Sequence, residues 1–226
     1  MKTTTLSVII PLFNTEKYIE QAIQSLLNQT IKIDQIIVVD DGSTDGGAEI
    51  VKKHPQIELI QKENEGLKKT LNCGLSYAKG DFIGFLDADD RWKTNKLKVQ
   101  LDFLESHPEV DIAFVNSERF KMVKTETGES LEERLDVMNG KTLPTGLYRK
   151  QVFDKVGVFS VENQYHTFME WLDRAQFNKI NMEMIPELLY ERRIHDSNMG
   201  IVEKQRQRDQ YLATLKASLD RRRNER

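Results

Sequence analysis

The 226-residue chain sets 33 Lys plus Arg against 36 Asp plus Glu, a net charge of −3; it is long enough for one large domain with a real core, and too evenly balanced for a dedicated nucleic-acid binder. A single cysteine, Cys73, excludes an internal disulfide and fits a reducing compartment. No apolar run approaches the roughly 20 residues of a membrane span, and the stretch 6–11 is too short for a signal-peptide core, so the expected setting is cytoplasmic, with peripheral membrane contact left open.

The first predicted element is a buried strand, "LSVIIP" (6–11), rich in β-branched residues and stopped by a proline. Tyr18, Ile19, Ala22, Ile23, Leu26 and Leu27 then recur at helical spacing, with Asn14 or Thr15 as the cap. "DQIIVVDD" (34–41) is a second strand, continuous rather than alternating, as parallel strands covered on both faces are. "GSTDGGAEIVKK" (42–53) turns into a second helix with Ser43, Thr44 or Asp45 available as caps, and "IELIQ" (57–61) reads as a third strand. "GLKKTLNCGLSYAKG" (66–80) reads as a helix closed by a glycine. "DFIGFLDADD" (81–90) is a fourth strand ending in acid, and an amphipathic helix (94–108) follows, stopping before a proline. This alternation predicts an α/β fold with a mostly parallel sheet sandwiched between helices. Ligands then bind outside the carboxyl ends of the strands, where "PLFN", "DDGSTD", "KENEG" and "DADD" should meet in one crevice.

Beyond residue 110 the rhythm changes. "DIAFVN" (111–116) is another strand, and the polar, aperiodic stretch 124–145 reads as a mobile loop or short hairpin that could wall an acceptor site. A short helix and turn (148–159), a helix (166–177) and two strands (180–195) follow. The tail from residue 201 reads as an amphipathic helix with Tyr211, Leu212, Leu215 and Leu219 on one stripe and a basic end, Arg221 to Arg226. That helix is the candidate contact with a membrane surface or a second copy of the chain. The expected division is one domain over 1–200, in two halves (1–116 and 117–200), followed by the helix 201–226.

The densest chemistry is Asp87-Ala88-Asp89-Asp90. Three aspartates in four positions repel one another, and a hard cation such as Mg²⁺ or Mn²⁺, which also binds substrate phosphates, would relieve them; the alternative is acids complementing a helix dipole. Asp40 or Asp41, at the end of the second strand, can accept hydrogen bonds from a nucleotide, although Asp, Gly and Ser are also ordinary turn residues. Neither Gly-x-Gly-x-x-Gly nor a Walker lysine motif is present, so a cation has to neutralise any diphosphate. His54, His107 and His166 read as solvated, Cys73 as a helix residue, and Trp92 and Trp171 as packing or sugar-stacking groups.

"SVIIPLFN", "VVDDGSTD" and "GDFIGFLDADD", in this order and spacing, resemble the nucleotide-binding half of the GT-A glycosyltransferases, family 2 with its SpsA-like members above all; weaker similarity runs through "GLYRKQVFDKVGVF" and "PELLYERRIH" to about residue 200. The resemblance implies a metal-dependent, inverting transferase that moves a sugar from a nucleotide-diphosphate donor, a UDP-sugar first, to an acceptor left open among glycan, lipid-linked sugar and peptide. It implies that Pro11, Phe13 and Asn14 line the base and ribose pocket, with Asp41 or Asp40 on a uracil-type edge. Asp87-Ala88-Asp89 become the DXD motif, Asp87 near the ribose and Asp89 on Mn²⁺ or Mg²⁺ with His195. Glu170 becomes the catalytic base and Asp173, three residues on along nearly the same helix face, its alternative. Two departures stand out. Leu71 occupies a position where the family often has arginine, leaving Lys68 or Lys69 to reach the diphosphate, and Met169-Glu170-Trp171 replaces the usual Glu-Asp pair. The rival reading is a nucleotide-sugar-binding protein without transfer activity.

Overall fold

The computed structural model describes residues 4–125, 128–161 and 167–198, together with positions 208, 209, 212, 214, 216 and 218. The expected stripe at Tyr211, Leu215 and Leu219, the basic run 221–226 and His166 lie outside the described residues.

A single mixed sheet organises the chain. Strands β1 (Leu6–Leu12), β2 (Gln35–Asp40), β3 (Ile57–Gln61) and β4 (Phe82–Phe85) are parallel neighbours in the order β3-β2-β1-β4. Strand β8 (Gly146–Arg149) runs antiparallel between β4 and β6 (Ile112–Lys124). Strand β9 (Met182–Arg193) is parallel to β6, and the two-residue β5 (Arg91–Trp92) closes the edge antiparallel to β9. Strand β7 (Ser130–Met138) pairs with β6 alone.

Helices cover both faces, which is why the central strands are buried at nearly every position. Successive side chains of a strand point to opposite faces. Val8, Ile10 and Leu12 accordingly join one core with Ile19, Ala22, Ile23 and Leu26 of α1 (Glu16–Leu27) and Leu97 and Leu104 of α4 (Lys96–Ser106). Ile9 and its neighbours Ile37 and Val39 join the other core, with Leu71 of α3 (Leu67–Tyr77), Val152 and Phe153 of α5 (Gln151–Val156) and Trp171 of α6 (Thr167–Phe177). In that second core Phe153, Phe159 and Phe168 all lie with ring centroids within about 6 Å of Trp171, in the tilted and offset arrangements that aromatic quadrupoles favour.

Several local expectations are corrected. Helix α3 is not closed by a glycine: Ala78 ends it in an extended conformation. Gly80 serves a different purpose, since a Cβ there would sit 2.5 Å from the Ser7 nitrogen and 2.8 Å from the Leu6 carbonyl carbon. Helix α1 has Thr15 at its N-cap without a side-chain bond; Asp45 Oδ2 reaches across to accept from Glu16 N (2.8 Å). In return Glu16 Oε2 accepts from Gly46 N (3.0 Å), at the start of α2 (Gly47–Val51), where Asp45 Oδ1 takes Gly47 N (3.0 Å). The two helices cap each other across the sheet edge, an arrangement that spacing within either segment does not encode. The stretch read as two strands over 180–195 is the single β9, kinked where Pro186 lacks an N–H to pair; its carbonyl instead accepts from Asn116 Nδ2 (2.9 Å). Of the two readings of the polar stretch after residue 124, loop or hairpin, the hairpin is found: β7 pairs antiparallel with the long β6.

Lys96 carries a stability prediction. It is fully buried; its ammonium donates to Gln100 Oε1 (2.8 Å) and lies 3.9 Å from the centroid of the Trp92 ring. Burial pushes the amine well below the usual lysine value. With the folded value depressed, the stability is intact above the unfolded value, about 10.4, and is lost as pH falls through the window beneath it. Lys96→Met has no such loss. In denaturant titrations its stability relative to wild type should improve as pH is lowered from about 10, by up to about 1.4 kcal/mol per pH unit. A gap independent of pH would contradict the account.

Candidate active site

Strands β1, β2, β4 and β9 all end at the same edge of the sheet, and the loops leaving them build the site. Asn14, with φ at +49°, ties the first loop to the second. Its N–H donates to Ser43 Oγ (3.1 Å) and its Oδ1 accepts from Thr44 N (2.8 Å). That tie leaves Phe13, next to the partly exposed Pro11, 47 % exposed, an apolar ring presented to solvent at the crevice.

Asp40 and Asp41 are nearly buried and internally satisfied. Asp40 accepts from Ser43 N (3.0 Å) and Gln61 Nε2 (3.1 Å). Asp41 accepts from the ammonium of Lys62 and from the backbone N–H groups of Glu65 (3.0 Å) and Gly66 (2.9 Å). Burial acts to raise its carboxyl, but the Lys62 ammonium and these two amides outweigh it and hold the group below the usual range. Gly66, at φ +88°, provides the turn that aims its amide at Asp41. Lys69 is exposed and paired with Glu65 (2.6 Å). Burial lowers the Lys68 amine, opposed by the charge of Glu170.

The acid cluster separates into roles. Asp90 is 3 % exposed and accepts from Tyr190 Oη (2.5 Å) and Arg193 N (2.6 Å), so it pins β9 to the end of β4. Burial, with the charges of Asp89 and Asp87 added, pushes Asp90 well above the usual carboxylate range. Asp87, with Tyr190 Oη at 3.5 Å, is pushed up to about 7 by burial and by Asp89. Ala88 is buried between them. Asp89 Oδ2 lies 3.0 Å from His195 Nε2 and accepts from Asn198 Nδ2 (3.3 Å). His195 is held from three sides: Asn198 Oδ1 accepts from its backbone N–H (2.7 Å), Ser197 Oγ lies 2.8 Å from Nδ1, and the Tyr18 ring stacks on the imidazole at 4.6 Å.

This donor set fits a hard to borderline divalent cation: one carboxylate oxygen and one imidazole nitrogen converge where positive charge would relieve the repulsion among Asp87, Asp89 and Asp90. Among the described residues no group of three or more His, Cys, Asp and Glu side chains forms a closed metal cage. The remaining ligands of a cation here would be substrate oxygens and water.

Glu170, on α6, is 6 % exposed, its Oε1 accepting from Arg174 Nε (2.8 Å) and its Oε2 from Nη2 (3.2 Å). Arg174 also donates to the carbonyls of Val156 (2.5 Å) and Val158 (2.8 Å), so the pair fastens α6 to the preceding turn. Asp173 accepts from Ser218 Oγ (2.6 Å), which docks the C-terminal helical residues on α6, with Thr214 buried and Leu212 exposed. Tyr18, Gln21, Tyr190, Arg193 and Asn198 were not found from the sequence; the two adjacent arginines before His195, inside an otherwise strand-like run, were the available signal.

Comparison with known proteins places these features. The family model described as glycosyl transferase family 2 matches residues 7–166. The uncharacterized glycosyltransferase YibD of Escherichia coli is 26% identical over 225 residues, covering 90% of this chain and 65% of the relative. The putative glycosyltransferase EpsH of Bacillus subtilis is 30% identical over 187 residues, covering 78% of this chain and 51% of the relative. The crystal structure of S. aureus TarS 1-349 in complex with UDP-GlcNAc superposes with a TM-score of 0.69 at 25% identity, over 86% of this chain and 60% of that one. The mannosyltransferase PcManGT of Pyrobaculum calidifontis, in complex with GDP-Man and Mn2+, gives 0.70 at 19% identity over 97% and 65%. The chain thus spans less than two thirds of the length of each of these relatives, and its fold is that of the GT-A glycosyltransferases.

Proposed function

The chain belongs to glycosyl transferase family 2, and from that premise we propose that it transfers a sugar from a nucleotide-diphosphate donor to an acceptor hydroxyl with inversion, using Mn²⁺ or Mg²⁺. The observation that carries this reading is the convergence of Asp89 and His195 at the carboxyl ends of β4 and β9, beside the exposed ring of Phe13. In it Phe13, Pro11 and Asn14 receive the base and ribose, Asp40 and Asp41 fix the loop that borders them, and Asp87 lies toward the ribose. A divalent ion held by Asp89 and His195 would stabilise charge on the leaving diphosphate as a Lewis acid. Lys68 and Lys69 stand one helix away to receive the remaining phosphate charge. TarS and PcManGT, with UDP-GlcNAc and GDP-Man, support a nucleotide-sugar donor; a UDP-sugar is the first candidate. The hairpin β6–β7, whose Glu132 accepts from Arg91 next to the acid cluster (2.9 Å), is the proposed acceptor wall. The acceptor is a glycan, lipid-linked sugar or peptide hydroxyl.

Glu170 is the proposed base, with Asp173 as the alternative. The Glu170 carboxylate is paired with the Arg174 guanidinium four residues on (2.8 Å). The same ion pair favours a second reading, in which Glu170 only anchors α6 and the protein binds donor without transfer. Glu170→Gln separates them. As the base, it should lose turnover by about a hundredfold or more while nucleotide affinity stays within about twofold. A wild-type protein that binds donor and releases no nucleoside diphosphate in the presence of varied acceptors would establish the second reading.

A further inference from the structure

We propose that Arg193 is a positioning residue that locks the two arms of the cation site, the Asp89 loop and the His195 strap, into register; this rests on the donor-site reading above. Arg193 is the last residue of β9 and only 3 % exposed. Its backbone N–H donates to Asp90 Oδ1 (2.6 Å), its Nε to the carbonyl oxygen of Asp89 (2.9 Å), and its Nη2 to Gln21 Oε1 on α1 (2.6 Å). One residue therefore grips the acid loop through both backbone and side chain, and its own chain continues directly to His195.

The guanidinium is also clamped in place. It lies 4.5 Å from the centroid of Phe120 and 5.0 Å from that of Tyr18. The Tyr18 ring in turn stacks on His195 at 4.6 Å, so the same aromatic ring braces the imidazole and the guanidinium. Burying a guanidinium is costly, and this one lies buried against the Phe120 and Tyr18 rings. A chain bears that cost where a planar fork is needed to hold two directions at once, which an ammonium cannot do. Asp89 and His195 sit on segments 106 residues apart in sequence; without the clamp, each loop end is free to shift. Groups that orient metal ligands without touching the metal typically change metal affinity by about 10–100-fold when removed.

The test is Mn²⁺ binding, read by loss of the free-Mn²⁺ electron paramagnetic resonance signal with UDP or GDP present. The variants are Arg193→Met, Arg193→Lys and Gln21→Ala, each with a melting curve taken without ligand. Arg193→Met should raise the Mn²⁺ concentration at half-saturation by about tenfold or more. Arg193→Lys keeps the charge against the rings but loses the fork, so it should fall between Met and wild type. Gln21→Ala, at an exposed position, should melt like wild type and still weaken Mn²⁺ binding by about threefold. Should Arg193→Met not fold, the other two variants decide. Folded Arg193→Lys and Gln21→Ala proteins that bind Mn²⁺ within about twofold of wild type would overturn the inference. A wild-type protein that binds no Mn²⁺ with either nucleotide would instead bring down the donor-site reading, and this inference with it.

Discussion

Asp89→Ala should reduce metal-dependent sugar transfer, or donor hydrolysis, by about a hundred- to thousandfold, the scale seen when one preorganised group stabilising transition-state charge is removed. The size follows from how the acid cluster divides its work. Asp90 is committed to Tyr190 and the Arg193 amide, and Asp87 is pushed up to about 7, with the Tyr190 hydroxyl at 3.5 Å. Asp90 cannot turn away without giving up its bonds to Tyr190 and to the end of β9. Removing Asp89 leaves His195 as a lone protein donor, too little to hold a hard divalent ion. The free protein should respond in the opposite sense. The charge of Asp89 raises both Asp87 and Asp90, so its loss relieves repulsion, and the variant should melt no lower than wild type. Activity assays and melting curves on the same preparation check both halves, and a variant that loses activity by unfolding would fail the second.

Gly80→Ala should be the most damaging small substitution for the fold, costing about 3 kcal/mol or more, in the range reserved for backbone clashes and severe overpacking. Its Cβ would meet main-chain atoms, the Ser7 nitrogen at 2.5 Å, the Leu6 carbonyl carbon at 2.8 Å and the Phe82 oxygen at 2.9 Å. A flexible side chain could turn aside, but the entry to β1 cannot. The surrounding bonds leave no slack. Gly80 N donates to Ser7 Oγ (2.8 Å), Ser7 Oγ donates to Gln35 Oε1 (2.7 Å), and the same oxygen accepts from Lys79 N (2.9 Å). Shifting Gly80 therefore breaks the seam joining β1, β2 and β4. Gly140→Ala, where nothing lies within 4 Å of the added carbon, is the control and should stay within about 0.5 kcal/mol in a denaturant titration.

The parallel half of the fold was legible because burial on both faces writes itself as unbroken apolar runs: 6–11, 34–41 and 82–86 become β1, β2 and β4 nearly as read. The hairpin partner β7 was legible only as one of two readings, a loop or a short hairpin. It is exposed throughout, with Leu131, Leu135 and Val137 facing solvent, so no buried face imposes a period on it. It is held instead by ion pairs, Arg134 to Glu191 (2.5 Å) and Arg91 to Glu132 (2.9 Å), between residues far apart in the chain. The two-residue β5 is too short to carry any pattern. In the site, Asp89 Oδ2 lies 3.0 Å from His195 Nε2, whereas the division of labour inside "DADD" could not be read, since three identical carboxylates differ only in what surrounds them. The engagement of Glu170 by Arg174 was written at spacing i,i+4, yet the same spacing is equally common where the pair merely caps a surface.

The central claim is that Asp89 and His195 hold a divalent cation for a nucleotide diphosphate. The most direct measurement is calorimetric titration of UDP, GDP and their sugar conjugates into the wild-type chain with Mn²⁺ and with chelator. The account predicts binding of at least one nucleotide in Mn²⁺ that weakens by about tenfold or more when the metal is chelated. Equal binding with and without metal, or no binding of any nucleotide, would contradict it.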